Sequence, residues 1–123
     1  MKLRFRSNSL RLRLNQQEVW ALASGQTLEE KVHFPGESTI AYVLQPASEA
    51  GPDASFAEGV IRVFAPQNEV RQWAAGPSIG MYFELAANGS ALKVAIEKDL
   101  ECLDGPVDEH DPHAFPRPAG NVC

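Results

Sequence analysis

The chain has 123 residues, 44% of them hydrophobic and 22% charged, so it is long enough for one core and too apolar to be disordered. Its formal net charge is −5, but the first thirteen residues carry five basic and no acidic side chains, whereas the remainder carries six basic and sixteen acidic ones. The acidic balance argues against general nucleic-acid binding, and no apolar run approaches the roughly 20 residues of a membrane helix.

Two strands open the chain. Apolar and basic residues alternate over 2–6 and again over 10–14, which is the period of a half-buried strand. The two strands are predicted to form a hairpin with one apolar and one basic face. The same alternation leaves no room for an apolar signal-peptide segment, so we expect a cytoplasmic protein with reduced cysteines.

A short helix and a second hairpin follow. Asn15 with Glu18 three residues later is the pattern of a capping box, and it predicts a helix that ends at Gly25. Strands are predicted at about 27–34 and 38–45. Residues 46–54 are rich in turn-forming residues and are predicted to be a connection.

The same pattern then recurs. A strand ends at Ala65, a helix lies between Pro66 and Gly76, and two further strands flank the hairpin signal Asn88-Gly89. Residues 10–34 overlay on residues 61–85 without a gap, with helices and hairpins in register. This indicates two pseudo-repeats, at about 9–45 and 56–97.

These elements predict an α+β fold for a single domain over residues 1–103. Two duplicated β-α-β-β units would form an antiparallel sheet, open or barrel-like, with two short helices on its apolar face. Residues 104–123 are predicted to be an acidic, Pro-rich C-terminal tail, packed on this domain or extending from it. Exposed edge strands make a homodimer plausible.

Three stretches carry a resemblance to a known family. They are the opening MKLRFRSNSLRLRL, the segment LEEK at 28–31 with Phe34, and EKDLECL at 97–103, together with a Pro-rich tail that ends in Cys123. In these the chain resembles a family of small uncharacterised bacterial proteins, a domain of unknown function. The resemblance covers nearly the whole chain and implies a bacterial, single-domain protein. It supplies no catalytic residues.

The basic hairpin gives the leading functional hypothesis, a non-catalytic module that binds a small anionic ligand or a protein partner. Guanidinium groups spaced two residues apart on one face suit phosphate or carboxylate groups. The alternative is a solvated face whose cations pair with Glu29, Glu30 or Glu37. Trp20 is a further candidate, because an exposed indole beside this hairpin would stack on a ligand or partner. The candidate ligand-binding residues are Lys2, Arg4, Arg6, Arg11, Arg13 and Trp20.

The tail suggests a second hypothesis, a zinc-stabilised domain. Its candidate ligands are Cys102, His110, His113 and Cys123, which are the residue types of tetrahedral zinc sites but match no established spacing. A Cys102–Cys123 disulfide is another interpretation, and a polar tail anchored by Phe115 with reduced thiols is the third. No other cofactor is indicated, because phosphate-loop, dinucleotide-binding and calcium-loop motifs are absent from the sequence.

Catalysis is the third hypothesis. Residues 108–111, Asp-Glu-His-Asp, supply general acid–base groups, and Cys102 would be a nucleophile if a histidine approached it. These residues would make the protein a small hydrolase or transferase. Acids beside a histidine are common in solvated loops, so the sequence favours a protein that is not an enzyme.

Overall fold

The computed structural model describes residues 1–48, 51–100 and 112–116. The described residues are rich in β-structure, with 55% of them in strands and 17% in helices. The elements in chain order are β1 (Lys2–Arg6), β2 (Ser9–Leu14), α1 (Gln16–Ala23), β3 (Leu28–His33), β4 (Thr39–Ala47), β5 (Asp53–Ala57), β6 (Val60–Pro66), α2 (Gln67–Ala75), β7 (Gly80–Ala87) and β8 (Ser90–Lys98).

The strands form two four-stranded sheets. The first sheet has the order β1-β2-β8-β7, and the second sheet has the order β3-β4-β6-β5. In each sheet the outer pairs are antiparallel and the central pair, β2 with β8 or β4 with β6, is parallel. Each sheet therefore combines a hairpin from the first half of the chain with a hairpin from the second half.

This architecture corrects the predicted fold class. The prediction of duplicated β-α-β-β units in an antiparallel, barrel-like sheet is wrong, because the described strands form two mixed sheets and no closed barrel. Neither half of the chain completes a sheet alone, since each parallel pair takes one strand from each half. Alternation in the sequence identifies strands, but it does not state which strands pair.

The gapless overlay of the two halves also fails at the second hairpin. It matches Leu28, the first residue of β3, with Ile79, but Ile79 precedes β7. Leu28 lies opposite Leu44 of β4, and in the second half it is Met81 that lies opposite Ile96 of β8. The hairpins differ because β3 and β4 are separated by residues 34–38, whereas β7 and β8 are joined through 88–89. A further strand, β5, occupies residues 53–57, where the sequence predicts the end of a connection.

One core joins both sheets and both helices. Leu12 and Leu14 of the first sheet pack in the same cluster as Leu44 and Val63 of the second. The helices contact each other, and Leu22 of α1 and Trp73 of α2 are buried in this cluster. The helices therefore lie on the apolar faces of the sheets, and the opposite face of each sheet points away from the core.

Local capping and turn chemistry agrees with the sequence. The Asn15 side chain accepts from the Glu18 amide at 2.9 Å, and Glu18 Oε1 accepts from the Asn15 amide at 3.0 Å, which confirms the capping box. Asn88 and Gly89 both have positive φ, at 46° and 78°, as the hairpin signal predicts for a primed turn. None of the described helices is long and apolar enough to cross a membrane.

Residues 112–116 dock at one end of the core. Phe115 packs against the core cluster, and its amide donates to Asp99 O at 2.7 Å. The Lys98 ammonium lies 5.5 Å from the Phe115 ring centroid and 5.9 Å from that of Trp73. Burial lowers the pKa of Lys98. Its ammonium group donates a hydrogen bond to the carbonyl of Gly76 at 2.9 Å and makes cation–π contacts with the two rings. Phe115 thus anchors residues 112–116 on the core, and the predicted anchoring of the rest of the tail concerns residues outside the described ones.

Candidate functional site

The basic residues of β2 lie on the face of the first sheet that points away from the core. Leu10, Leu12 and Leu14 are buried, and the intervening Arg11 and Arg13 are half-buried. Side chains of a strand alternate between its faces, so the arginines project to the opposite side from the leucines.

The register between β1 and β2 places like charges together. Arg4 lies directly opposite Arg11, and Lys2 lies directly opposite Arg13. Residues directly opposite each other share a face of the sheet, so these four cations form two adjacent rows. Arg6 lies opposite Ser9 in the third row.

Strands β8 and β7 extend the same rows. Along β8, Lys93, Ala95 and Glu97 lie opposite Ser9, Arg11 and Arg13, respectively. Along β7, Glu84, Tyr82 and Gly80 lie opposite the same three β8 residues. We call this surface the basic face; its charged members are Lys2, Arg4, Arg6, Arg11, Arg13, Lys93, Glu84 and Glu97.

Glu97 is the main counter-charge on the basic face. Its Oε1 lies 3.1 Å from Arg11 Nε and 3.8 Å from Arg13 Nε, and its side chain is only 15% exposed. Its Oε2 accepts a hydrogen bond from the Tyr82 hydroxyl at 2.8 Å. One carboxylate therefore serves two arginines and one phenol.

Tyr82 is held beside this carboxylate. Burial raises the pKa of the phenol, and the hydrogen bond to Glu97 and its negative charge raise it further, while Arg11 opposes the shift. The side chain lies over Gly80, where a Cβ atom would meet the Tyr82 hydroxyl oxygen at 2.6 Å. Gly80 therefore leaves the space that Tyr82 needs to reach Glu97.

The remaining cations have few counter-charges. Lys2 Nζ lies 2.8 Å from Oδ2 of the buried Asp99. Within the described part of the chain, no ion pair is found for Arg4, Arg6 or Lys93.

The acids that the sequence offered as partners for the basic hairpin are engaged elsewhere or distant. Glu29 pairs with Lys31 at 3.6 Å, and Glu30 lies 3.3 Å from the ammonium group of Met1. Among the described residues, no ion pair joins Glu29, Glu30 or Glu37 to the arginines of the hairpin. These glutamates belong to the second sheet or its turn, whereas the arginines belong to the first sheet.

A groove of about 480 Å³ lies within the basic face. Its lining includes Arg11, Lys93 and Tyr82, with the small residues Ser9 and Ala95 between them. Grooves of roughly 300–1,000 Å³ accommodate small-molecule ligands. The groove thus offers cations and an aromatic side chain around a floor of short side chains.

Trp20 lies apart from this groove. It is 75% exposed on α1, which contacts β2, β3 and β4. The helices cover the core-facing side of the first sheet, and the basic face is on the other side. The structure therefore does not bring Trp20 together with the basic residues, although its predicted exposure is confirmed.

Most of the tail candidates fall outside the described residues. These are Cys102, His110 and Cys123 of the zinc and disulfide hypotheses, and the acid–base candidates at 108–111. His113 is described; it is exposed, and its carbonyl accepts from the Gln16 amide at 2.9 Å. Among residues 1–48, 51–100 and 112–116, no three His, Cys, Asp or Glu side chains group as a metal site would. The tail hypotheses stay predictions.

Four residues of the basic face were missed from the sequence, namely Tyr82, Glu84, Lys93 and Glu97. The signal was present, because Lys93 and Glu97 alternate with the buried Val94 and Ile96 along β8. What the sequence does not contain is the parallel pairing that places β8 beside β2.

A comparison with family models matches residues 1–119 to a family described as "Family of unknown function (DUF7009)". Neither the curated proteins nor the solved structures gave a match. The family match agrees with the resemblance to a domain of unknown function, and it brings no site residues with it.

Proposed function

The chain belongs to the family of unknown function DUF7009, and we propose that it is a non-catalytic binding module that holds a small anionic ligand on its basic face. One observation carries the proposal: Arg4 lies directly opposite Arg11, beside the pair of Lys2 and Arg13. Like charges directly opposite each other destabilise a sheet. A bound anion would offset this repulsion.

The charge balance of the basic face supports an anion as the ligand. Six cations share the face with two glutamates, and the buried Asp99 pairs with one of the six, Lys2, whereas the whole chain has a net charge of −5. Arg4 and Arg6 are exposed on β1, which is an edge strand of the first sheet. Their guanidinium groups are therefore accessible to an incoming ligand.

A small ligand is favoured over a macromolecular partner by the groove. A shallow, open depression lies over Ser9 and Ala95, between Arg11, Lys93 and Tyr82. The predicted acidic partners in β3, Glu29 and Glu30, form no ion pair with the arginines of the basic face within the described residues. The proposed binding residues are thus Arg4, Arg6, Arg11 and Lys93, with Lys2 and Arg13 contributing charge.

Thermal unfolding with added anions tests the proposal. Inorganic phosphate and citrate are added at constant ionic strength to the wild-type chain, to Arg4→Gln/Arg6→Gln and to Arg71→Gln. Arg71 is exposed on α2 and provides the matched control. A ligand at 100 times its Kd stabilises the folded state by about 2.7 kcal/mol, which is a shift of several degrees.

We expect at least one anion to raise the Tm of the wild type and of Arg71→Gln, and to raise that of the double variant much less. Absence of any shift in the wild type would contradict the proposal. An equal shift in all three proteins would place anion binding away from the basic face and would contradict it as well.

A further inference from the structure

We infer that the anion is the phosphate group of a small phosphate ester, bound above Ser9 between Arg6, Arg11 and Lys93. This inference rests on the proposed anion-binding function and deepens it by naming the ligand class and the position of its charged group. It follows from the rows of the first sheet, from the ion pairs of each cation and from the size of the groove.

Three cations surround Ser9 on the basic face. Arg6 lies directly opposite Ser9 on β1, and Lys93 lies directly opposite it on β8. Arg11 is the next residue of β2 on the same face. Neighbouring strands are about 4.8 Å apart, and same-face residues of one strand are about 6.8 Å apart. Long basic side chains from these positions can meet at one bound group.

Ser9 itself leaves room for that group. Its side chain is short, and its hydroxyl donates to Arg6 O at 2.5 Å, so it is directed at the main chain of its own hairpin. Ala95 on the neighbouring strand is also short, and both residues line the groove. Arg11 and Lys93 therefore line the groove beside two short side chains, and Arg6 lies opposite Ser9 on β1.

The number of cations favours phosphate over a single carboxylate. A phosphate monoester carries a charge of about −1.5 to −2 at neutral pH and has three acceptor oxygens. Arg11 meets Glu97 through Nε at 3.1 Å and is still 40% exposed, so it retains donors that a ligand can reach. Arg6 and Lys93 have no ion pair within the described residues. A phosphate group offers one acceptor oxygen to each of these three side chains, whereas a carboxylate has only two oxygens.

The groove leaves room for an organic group beside the phosphate, which favours an ester as the ligand. Its volume of about 480 Å³ is in the range of sites for small organic ligands. On β7 it is lined by Tyr82, which lies opposite Ala95, and by Glu84, which lies opposite Lys93. These two side chains would contact the organic part of the ligand.

Isothermal titration calorimetry on the full chain at constant ionic strength tests the inference. The probes are ribose 5-phosphate, inorganic phosphate, citrate and ribose. We expect ribose 5-phosphate to bind most tightly and ribose not to bind. Arg6→Gln and Lys93→Gln should each weaken ribose 5-phosphate binding about tenfold, since each removes one charge contact. Arg71→Gln should leave it unchanged.

A gain-of-affinity variant makes the test independent of folding defects. Glu84 lies directly opposite Lys93 and is the acid nearest to the proposed phosphate position in the register. Glu84→Gln removes one repulsive charge and should tighten ribose 5-phosphate binding about threefold, an effect that decreases with added salt.

The outcomes separate this inference from the proposed function. Citrate binding that depends on Arg4 and Arg6, without binding of either phosphate probe, would overturn the phosphate inference and leave the anion-binding function standing. Equal affinity for inorganic phosphate and ribose 5-phosphate would overturn the ester. Failure of every anion to bind would overturn both.

Discussion

Tyr82 and Glu97 are joined diagonally across β7 and β8, because the Tyr82 hydroxyl donates to Glu97 Oε2 at 2.8 Å although Tyr82 lies opposite Ala95 in the register. The side chain of Tyr82 reaches Glu97 over Gly80. The same carboxylate pairs with Arg11. These contacts hold the Glu97 carboxylate between Tyr82 and Arg11 at the centre of the basic face.

The first prediction concerns the titration of Tyr82. Its pKa is raised above the ordinary value of 10.0, and Glu97→Gln should bring it back towards that value because the charge and the charged hydrogen bond are lost. The chain has two tyrosines, and the pKa of Tyr42 is also raised, chiefly by burial. The titration is therefore followed by phenolate absorbance in a Tyr42→Phe background. An unchanged Tyr82 pKa after Glu97→Gln would show that the hydrogen bond does not form.

The same shift has a consequence for stability at high pH. A tyrosine whose folded pKa is raised contributes stability that is fully present below the unfolded pKa and is lost as the pH rises through the folded pKa. We therefore expect the free energy of unfolding to fall above pH 10.0 and to fall less in Tyr82→Phe. Urea denaturation at a series of pH values measures this, and an identical decline in both proteins would exclude Tyr82 as its source.

The next prediction concerns the space that Gly80 provides. In Gly80→Ala the new Cβ would lie 2.6 Å from the Tyr82 hydroxyl oxygen and 2.9 Å from Glu97 Cγ, so the Tyr82 side chain must move away. The pKa of Tyr82 should then fall towards 10.0. In a Tyr82→Ala background the same substitution meets only Glu97 Cγ and no phenol, so it should destabilise the protein less than in the wild type. A double-mutant cycle in urea that shows no coupling would contradict this account.

The start of α1 gives a prediction for folding stability. Asn15→Ala removes the acceptor for the Glu18 amide and should destabilise the protein by about 1 kcal/mol, a decrease in Tm of about 4 °C. Asn15→Asp retains an acceptor oxygen and serves as the control. Its Tm should change by less than about half of the change in Asn15→Ala. Calorimetric unfolding of the three proteins makes the comparison. Equal Tm values for wild type and Asn15→Ala would show that the cap contributes nothing.

The docking of residues 112–116 gives a fifth prediction. Phe115→Ala removes a half-buried ring and should cost about 1–3 kcal/mol, less than the 3–5 kcal/mol of a fully buried phenylalanine. The Gln16 amide, which donates to His113 O, should then exchange its hydrogen faster. Hydrogen exchange read by NMR measures this, with the exposed Pro116→Ala as the control. Unchanged protection of Gln16 would show that Phe115 does not hold the segment in place.

The local features of the fold could be predicted from the sequence. The capping box at Asn15 and the turn at Asn88-Gly89 are set by residues within a few positions of each other. The strand β5 was missed because Asp53–Ala57 consists mostly of small and polar residues with low strand propensity. It is a strand because it pairs with β6, and its own residues do not predict that pairing.

The apolar and basic faces of the β1–β2 hairpin follow from the residues of the hairpin alone, because side chains alternate along every strand. The position of β8 beside β2, which brings Lys93 and Glu97 next to the arginines, does not follow from those residues. Alternation is a property of neighbouring residues, whereas a parallel pair joins strands that are distant in the chain. Which strand pairs with β2 depends on the packing of both sheets and both helices in their shared core.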